Sequence, residues 1–139
     1  MFFVTELALI WNWVDAGAPY GDDALCYPPD SGVSFANDVK PIFASRCGPC
    51  HLNTPYQGGL NLTSSAAYGA LVNVDSTCDS MRKRVLAFDN HNSLLWQKLT
   101  PDGGACGTTM PDGGPPLRVS HSAEFDTIEA WIVQGAKNN

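Results

Sequence analysis

The 139-residue sequence predicts an all-α domain of short helices joined by long loops. Three observations predict it. Apolar residues recur at three- and four-residue intervals in several places, and no run of strand-like alternation is visible. Thirteen glycines and ten prolines together exceed average usage, which favours loops over long helices. Hydrophobic residues make up 44% and charged residues 16%, enough apolar side chains for one core in a chain of one domain's length.

The elements follow in order. Residues 1–15 read as a helix with apolar side chains nearly all round. They do not read as an export signal, because a basic leading region is missing and Glu6 interrupts the apolar stretch. The chain is therefore expected to be a processed form or part of a longer polypeptide. Residues 16–34 have a Pro/Gly/Asp linker composition. Within them Cys26 follows Asp22 and Asp23, which does not suit a lipid anchor. The division is thus 1–33 as helix plus linker and 34–139 as one compact domain. In that domain Ser34 is a candidate N-cap, and Phe35, Val39, Ile42 and Phe43 mark one helical face. Residues 52–63 are irregular. Residues 65–72 form a short helix with Tyr68, Leu71 and Val72 on one side, and 93–99 form another. Residues 101–117, with five glycines and four prolines, form a loop. Residues 121–134 close the chain with Phe125, Ile128, Trp131 and Ile132 at helical spacing.

A repeat links the two ends. Glu6, Ile10, Trp13, Gly17 and Ala18 recur as Glu124, Ile128, Trp131, Gly135 and Ala136 at a constant offset of 118. This suggests a duplicated unit, with residues 1–18 as the closing helix of a preceding similar domain or a docking element descended from one. Such a helix needs cover on both faces, so self-association or docking on a partner through 1–18 is expected.

A net charge of −6 argues against nucleic-acid binding, which needs a basic surface. The longest apolar run falls short of the roughly 20 residues of a membrane span. No paired carboxylates, Ser-His-Asp order or phosphate-binding glycine loop is present.

Chemistry concentrates at Cys47-Gly48-Pro49-Cys50-His51. C-x-x-C-H is the spacing of covalent haem attachment: one helical turn presents both sulfurs to one edge of the macrocycle and sets the histidine under the iron. CGPC is also a thioredoxin-like redox pair, but that motif follows a buried strand, and residues 35–46 have helical period. Zinc held by Cys47, Cys50 and His51 with Cys78 or Cys106 is a third reading, which the adjacency of Cys50 and His51 suits poorly. Met110 supports haem. It stands in the Gly/Pro-rich loop beside Pro111, whose ring stiffens the chain that would hold the thioether at the iron. A core methionine flanked by Thr108, Thr109, Pro111 and Asp112 is a poor alternative. His91 and His121 compete as sixth ligands but read as surface residues. The ring nitrogen of His51 away from the iron is expected to donate to a backbone carbonyl within 49–62, which would orient the ring.

With F-x3-V-x2-I-F before RCGPCH, GGLNL after it, SLLWQKL, CG-x2-MP-x-GG-x2-L and a final I-x2-WI-x2-GA, residues 34–136 resemble class I c-type cytochromes. Residues 1–33 have no counterpart in such a domain. The resemblance implies a cytochrome c-like small helical domain with long loops around one covalently bound haem c, with His51 and Met110 as iron ligands. It implies a disulfide between Cys78 and Cys106, commonly paired in similar domains. That bond would close a loop of about 28 residues and contribute about 3 kcal/mol by loop entropy. It implies Arg84 or Arg82 at the haem propionates. Tyr68, Trp96 and Leu99 are candidates to pack on the haem, and Pro111 to shape its Met110 side. The implied function is one-electron transfer, alone or within a larger electron-transfer complex, with redox proteins as partners and no small-molecule substrate. Covalent haem and a disulfide both place it in the periplasm or elsewhere outside the cytoplasm. The alternatives are a peroxidase-like haem domain, against which Met110 argues, a CGPC redox protein, and a structural link in an assembly.

Overall fold

A computed structural model describes residues 32–101 and 106–139. The helix expected over 1–15, most of the linker, Cys26 and the upstream copy of the repeat lie outside the described residues. The described part is mainly helical, with isolated β-bridges such as Val72 with Val85 and no strand.

Ser34 caps the first helix as its hydroxyl suggests. Its Oγ accepts from the Asn37 amide at 3.1 Å, and its own amide donates to Asp38 Oδ2 at 2.7 Å. The helix opens as a π-turn, Phe35–Val39, before α1, Lys40–Arg46. The wide turn has a local cause. Pro41 has no N–H, and its ring would meet the carbonyl four residues back in a regular α-helix. The short α2, Gly48–His51, follows at once, with Cys47 at the junction. After a 3₁₀ turn, Gln57–Gly59, come α3, Ala67–Leu71, and α4, Leu94–Leu99.

The loop ends one residue earlier than its composition suggests, at Pro116. Leu117–Ser120 makes a single turn, α5, with the Val119 and Ser120 amides donating to the Pro116 carbonyl. One turn is too short to leave a periodic signature. His121 is extended (φ −148°), so the closing helix α6 begins at Ser122 and runs Ser122–Val133.

The first and last elements cross at the centre of the core. Phe35 stacks on Trp131 with centroids 4.9 Å apart and meets Phe43 and Tyr68 edge-on. Polar contacts clasp the same seam. The Ala36 amide donates to the Asn139 carbonyl and the Val33 amide to Gln134 Oε1, while Trp131 Nε1 reaches the Lys137 carbonyl. All the apolar positions read on the first helical face, Phe35, Val39, Ile42 and Phe43, are buried, as are Phe125, Ile128, Trp131 and Ile132 of α6.

Gly135 ends α6 at φ +100°, and a Cβ there would stand 2.5 Å from Cζ of Phe88. Gly69, inside α3, has nothing within 4 Å of a built Cβ. Gly135→Ala is therefore expected to cost about 1–2 kcal/mol through left-handed backbone strain. Gly69→Ala should gain about 0.5–1 kcal/mol through helix propensity. Denaturant unfolding of both variants checks the pair, and equal effects of one sign would contradict it.

Candidate haem site

Cys47, Cys50 and His51 are presented by one turn of chain. The Cys47 amide closes α1 on the Phe43 carbonyl at 3.0 Å, and the His51 amide bonds the Cys47 carbonyl at 3.0 Å. The next loop folds back on this turn. The Leu62 amide donates to the His51 carbonyl at 2.9 Å, and His51 Nδ1 lies 3.2 Å from the Leu60 carbonyl. A carbonyl can only accept, so Nδ1 carries the proton, and in the neutral ring Nε2 is then the nitrogen with a lone pair for a metal. Leu60 falls within the stretch expected to supply this acceptor. Gly58 and Gly59, both near φ +60°, form the tight turn that delivers it. That turn is tied down in turn, because Thr77 Oγ1 donates to the Gly58 carbonyl at 2.9 Å.

These residues open onto a cavity of about 440 Å³. Cofactor pockets commonly span roughly 300–1,000 Å³. Its interior is aliphatic and aromatic, with Ile42 and Phe43 from α1, Leu95 and Leu99 from α4, Leu117 from α5 and Ile128 from α6. Met110 and Pro111 line it too. Met110 is half-buried and held at both main-chain atoms: its amide donates to the Lys98 carbonyl at 2.7 Å, and its carbonyl accepts from Leu117 at 3.0 Å.

The disulfide between Cys78 and Cys106 is formed, with Cα atoms 5.8 Å apart, and both cysteines line the cavity. Cys47 and Cys50 are free. Burial, and after it the charges of Cys50 and Glu124, push the Cys47 thiol up to about 11. Redox and nucleophilic cysteines need the opposite shift, so this environment is a poor one for a thioredoxin-like pair. Zinc fares no better. Among the described residues no three His, Cys, Asp or Glu side chains gather as a metal cage requires, and Cys78 and Cys106 are spent on each other.

The cations expected at this site separate. Arg84 lines the cavity, donating to the Ala70 carbonyl at 2.9 Å and more weakly to those of Gly58 and Gly59. It makes no ion pair among the described residues. Arg82 is turned to Asp79 at 3.0 Å and to Gln97 Oε1, and does not line the cavity. Tyr68 and Trp96, expected against the cofactor, also lie outside its walls. Each has a polar tip that must be satisfied on burial. Tyr68 Oη donates to the Ala136 carbonyl at 3.0 Å, and Trp96 Nε1 to Glu129 at 2.6 Å. His91 is exposed and packs on the Trp96 ring, while His121 sits at the start of α6. Neither lines the cavity, so of the side chains weighed as a sixth ligand Met110 alone lines it among the described residues.

Two wall residues were not singled out in the sequence as site residues. Lys98 reaches the Cys106 and Thr108 carbonyls, and burial lowers its pKa. Arg46 forms a two-pronged pair with Glu124, both contacts 2.7 Å, that bolts the end of α1 to α6 beside Cys47. Arg46 stands in RCGPCH and Lys98 in SLLWQKL, but what each one bonds depends on which segments meet in three dimensions.

Compared with protein-family models, curated proteins and solved structures, the chain matches none.

Two outcomes are expected. The haem-free chain, unfolded without reductant, should react with a thiol reagent at Cys47, Cys50 and at most Cys26, and reduction should release two thiols more. Finding all five without reductant would contradict the disulfide. The second concerns Glu124, whose carboxyl is held below the ordinary range by its hydrogen bond and charge contact with Arg46, with His121 adding to it. A depressed carboxylate stabilises the fold above its unfolded pKa and loses that contribution as pH falls through the folded value. Wild type should exceed Glu124→Gln in stability at neutral pH, and the gap should close as pH drops below about 4. Urea midpoints across this range check it.

Proposed function

We propose that this chain is a one-electron carrier: a cytochrome c-like domain holding a single covalently bound haem. The observation that carries the reading is the convergence of Cys47, Cys50, His51 and Met110 on one apolar cavity, with the His51 ring already set to offer Nε2.

The residues suit the group. Each cysteine thiol would add across a vinyl substituent, the sulfur bonding to one carbon and the hydrogen going to the other, so no oxidant is required. His51 and Met110 would hold the iron, the histidine fixed by Leu60 and the methionine by Lys98 and Leu117. Arg84 and Lys98 line the cavity without a carboxylate partner among the described residues, and Asp112 is the one carboxylate among its described lining residues. That balance fits an apolar ring bearing two acidic side arms, even in a chain of net charge −6. The bound haem supplies a site that takes up and returns one electron. With His51 and Met110 both holding the iron, no position would be left for a substrate, and redox proteins would be the partners. The thioether ligand favours the ferrous state relative to a second histidine, and the apolar walls disfavour the extra positive charge of the ferric state. An extracytoplasmic location follows from covalent attachment and from the disulfide. Among the described residues no helix is long and apolar enough to cross a membrane.

The test is expression with a covalent haem-attachment system. The protein should keep its haem mass through acid–organic extraction and show reversible reduced-minus-oxidised spectra. Met110→Ala should open the iron to cyanide, and Met110→His should lower the potential while leaving the haem low-spin. Extractable haem would sink the reading. An unchanged spectrum and potential in Met110→Ala would assign the sixth position elsewhere.

A further inference from the structure

The Met110 loop holds no regular structure, yet its main chain must be placed to within a fraction of an ångström if the sulfur is to bind iron. Proline stiffness beside Met110 fixes one dihedral, not the position of the loop relative to the cavity. Three of the contacts that fix that position come from one residue of α4.

Lys98 stands in the last turn of α4 and lines the cavity. Its backbone carbonyl accepts from the Met110 amide at 2.7 Å. Its ammonium donates to the Cys106 carbonyl and, at 2.9 Å, to the Thr108 carbonyl. One side chain and its own peptide therefore grip the loop at three points over 106–110. The receiving loop is shaped for it. Gly107, between the two acceptor carbonyls, sits at φ +81°, and a Cβ there would lie 3.1 Å from Lys98 Nζ. Among the described residues Lys98 has no carboxylate partner, so its charge is committed to carbonyl dipoles of this loop. Hydrogen bonds from an ionised donor are stronger than neutral ones.

We infer that Lys98 is the positioning residue for the Met110 ligand, holding the 106–110 loop against α4 so that the thioether stays on the iron. The inference rests on the haem reading above and adds to it a residue whose role is to keep the sixth position closed. The disulfide at Cys106 ties the same loop to the 78 region, but it acts four residues from Met110, and at Met110 itself the Lys98 carbonyl holds the amide while the Leu117 amide holds the carbonyl.

The experiment compares haem-loaded wild type with Lys98→Met, Lys98→Arg, Gly107→Ala and Lys137→Met. The readouts are the cyanide-binding rate and the reduction potential. Lys98→Met keeps the apolar stem and removes the donors, so it should retain covalent haem but bind cyanide about tenfold faster or more, the scale of losing a charge-assisted hydrogen bond. Its potential should fall as the methionine-bound fraction drops. Lys98→Arg can still donate to both carbonyls and should stay near wild type. Lys137→Met removes the same charge elsewhere and should change neither readout. Should Lys98→Met fail to accumulate, Gly107→Ala, which crowds the ammonium without deleting it, should show the same direction at smaller size. Wild-type rate and potential in Lys98→Met, or in Gly107→Ala where it stands in, would overturn the inference. So would equal acceleration in Lys98→Arg or Lys137→Met. Wild type without covalent haem would overturn the parent reading and this inference with it.

Discussion

Phe35 lies nearly flat on Trp131, 4.9 Å between centroids, and this stack joins the first described helix to the last. The rest of the domain hangs from it. Between the two aromatic anchors the chain consists of helices of four to seven residues, too short to hold themselves in water. They persist through packing and hydrogen bonds to the rest of the domain. Tyr68 brings α3 to it edge-on and hydrogen-bonds the Ala136 carbonyl, and Trp96 brings α4 to it through Glu129 of α6. The cavity is what the seam leaves between α1, α4 and α6. Ile42, Leu99 and Ile128 are core residues on one side and cavity wall on the other.

A site built largely from loops needs its geometry set by hydrogen bonds rather than by regular structure. Three such arrangements surround the cavity, and each joins a side chain to main-chain carbonyls. His51 takes its orientation from the Leu60 carbonyl. Arg84 holds the 58–59 turn and the end of α3. Lys98 holds the 106–110 loop. Backbone acceptors suit this purpose, because a buried carbonyl left unpaired is costly and so enforces the pairing. Arg84 and Lys98 also put positive charge on the cavity wall while the chain as a whole is acidic. Arg46 differs from the other cations. Its charge is matched by Glu124, so it acts as a bolt between helices beside Cys47.

The glycines illustrate how local freedom serves this scheme. Gly135 in the repeated Gly-Ala pair turns the chain under Phe88 so that Ala136 and Lys137 can receive Tyr68 and Trp131. Its recurrence as Gly17 in the upstream copy is a property of the sequence, and that copy lies outside the described residues.

Much of the helical frame was legible because its signals are local. Periodicity named the buried faces of α1 and α6, the hydroxyl of Ser34 named the cap, and C-x-x-C-H named a single turn whose contacts lie within five residues. The π-turn at Phe35–Val39 was not legible, since Pro41 only widens a helix when the surrounding packing keeps it helical at all. Nor was α5, one turn long and without a period. The site divided along the same line. Sequence marked Cys47, Cys50, His51 and Met110 by residue type and neighbours. Choosing Arg84 over Arg82, removing Tyr68 and Trp96 from the cavity and bringing in Lys98 took the tertiary structure. Adjacent arginines, and aromatics with polar tips, have the same local chemistry wherever they point. Which carbonyl, carboxylate or cavity each one meets is decided when segments tens of residues apart come together, and those meetings leave no mark on the nearby sequence.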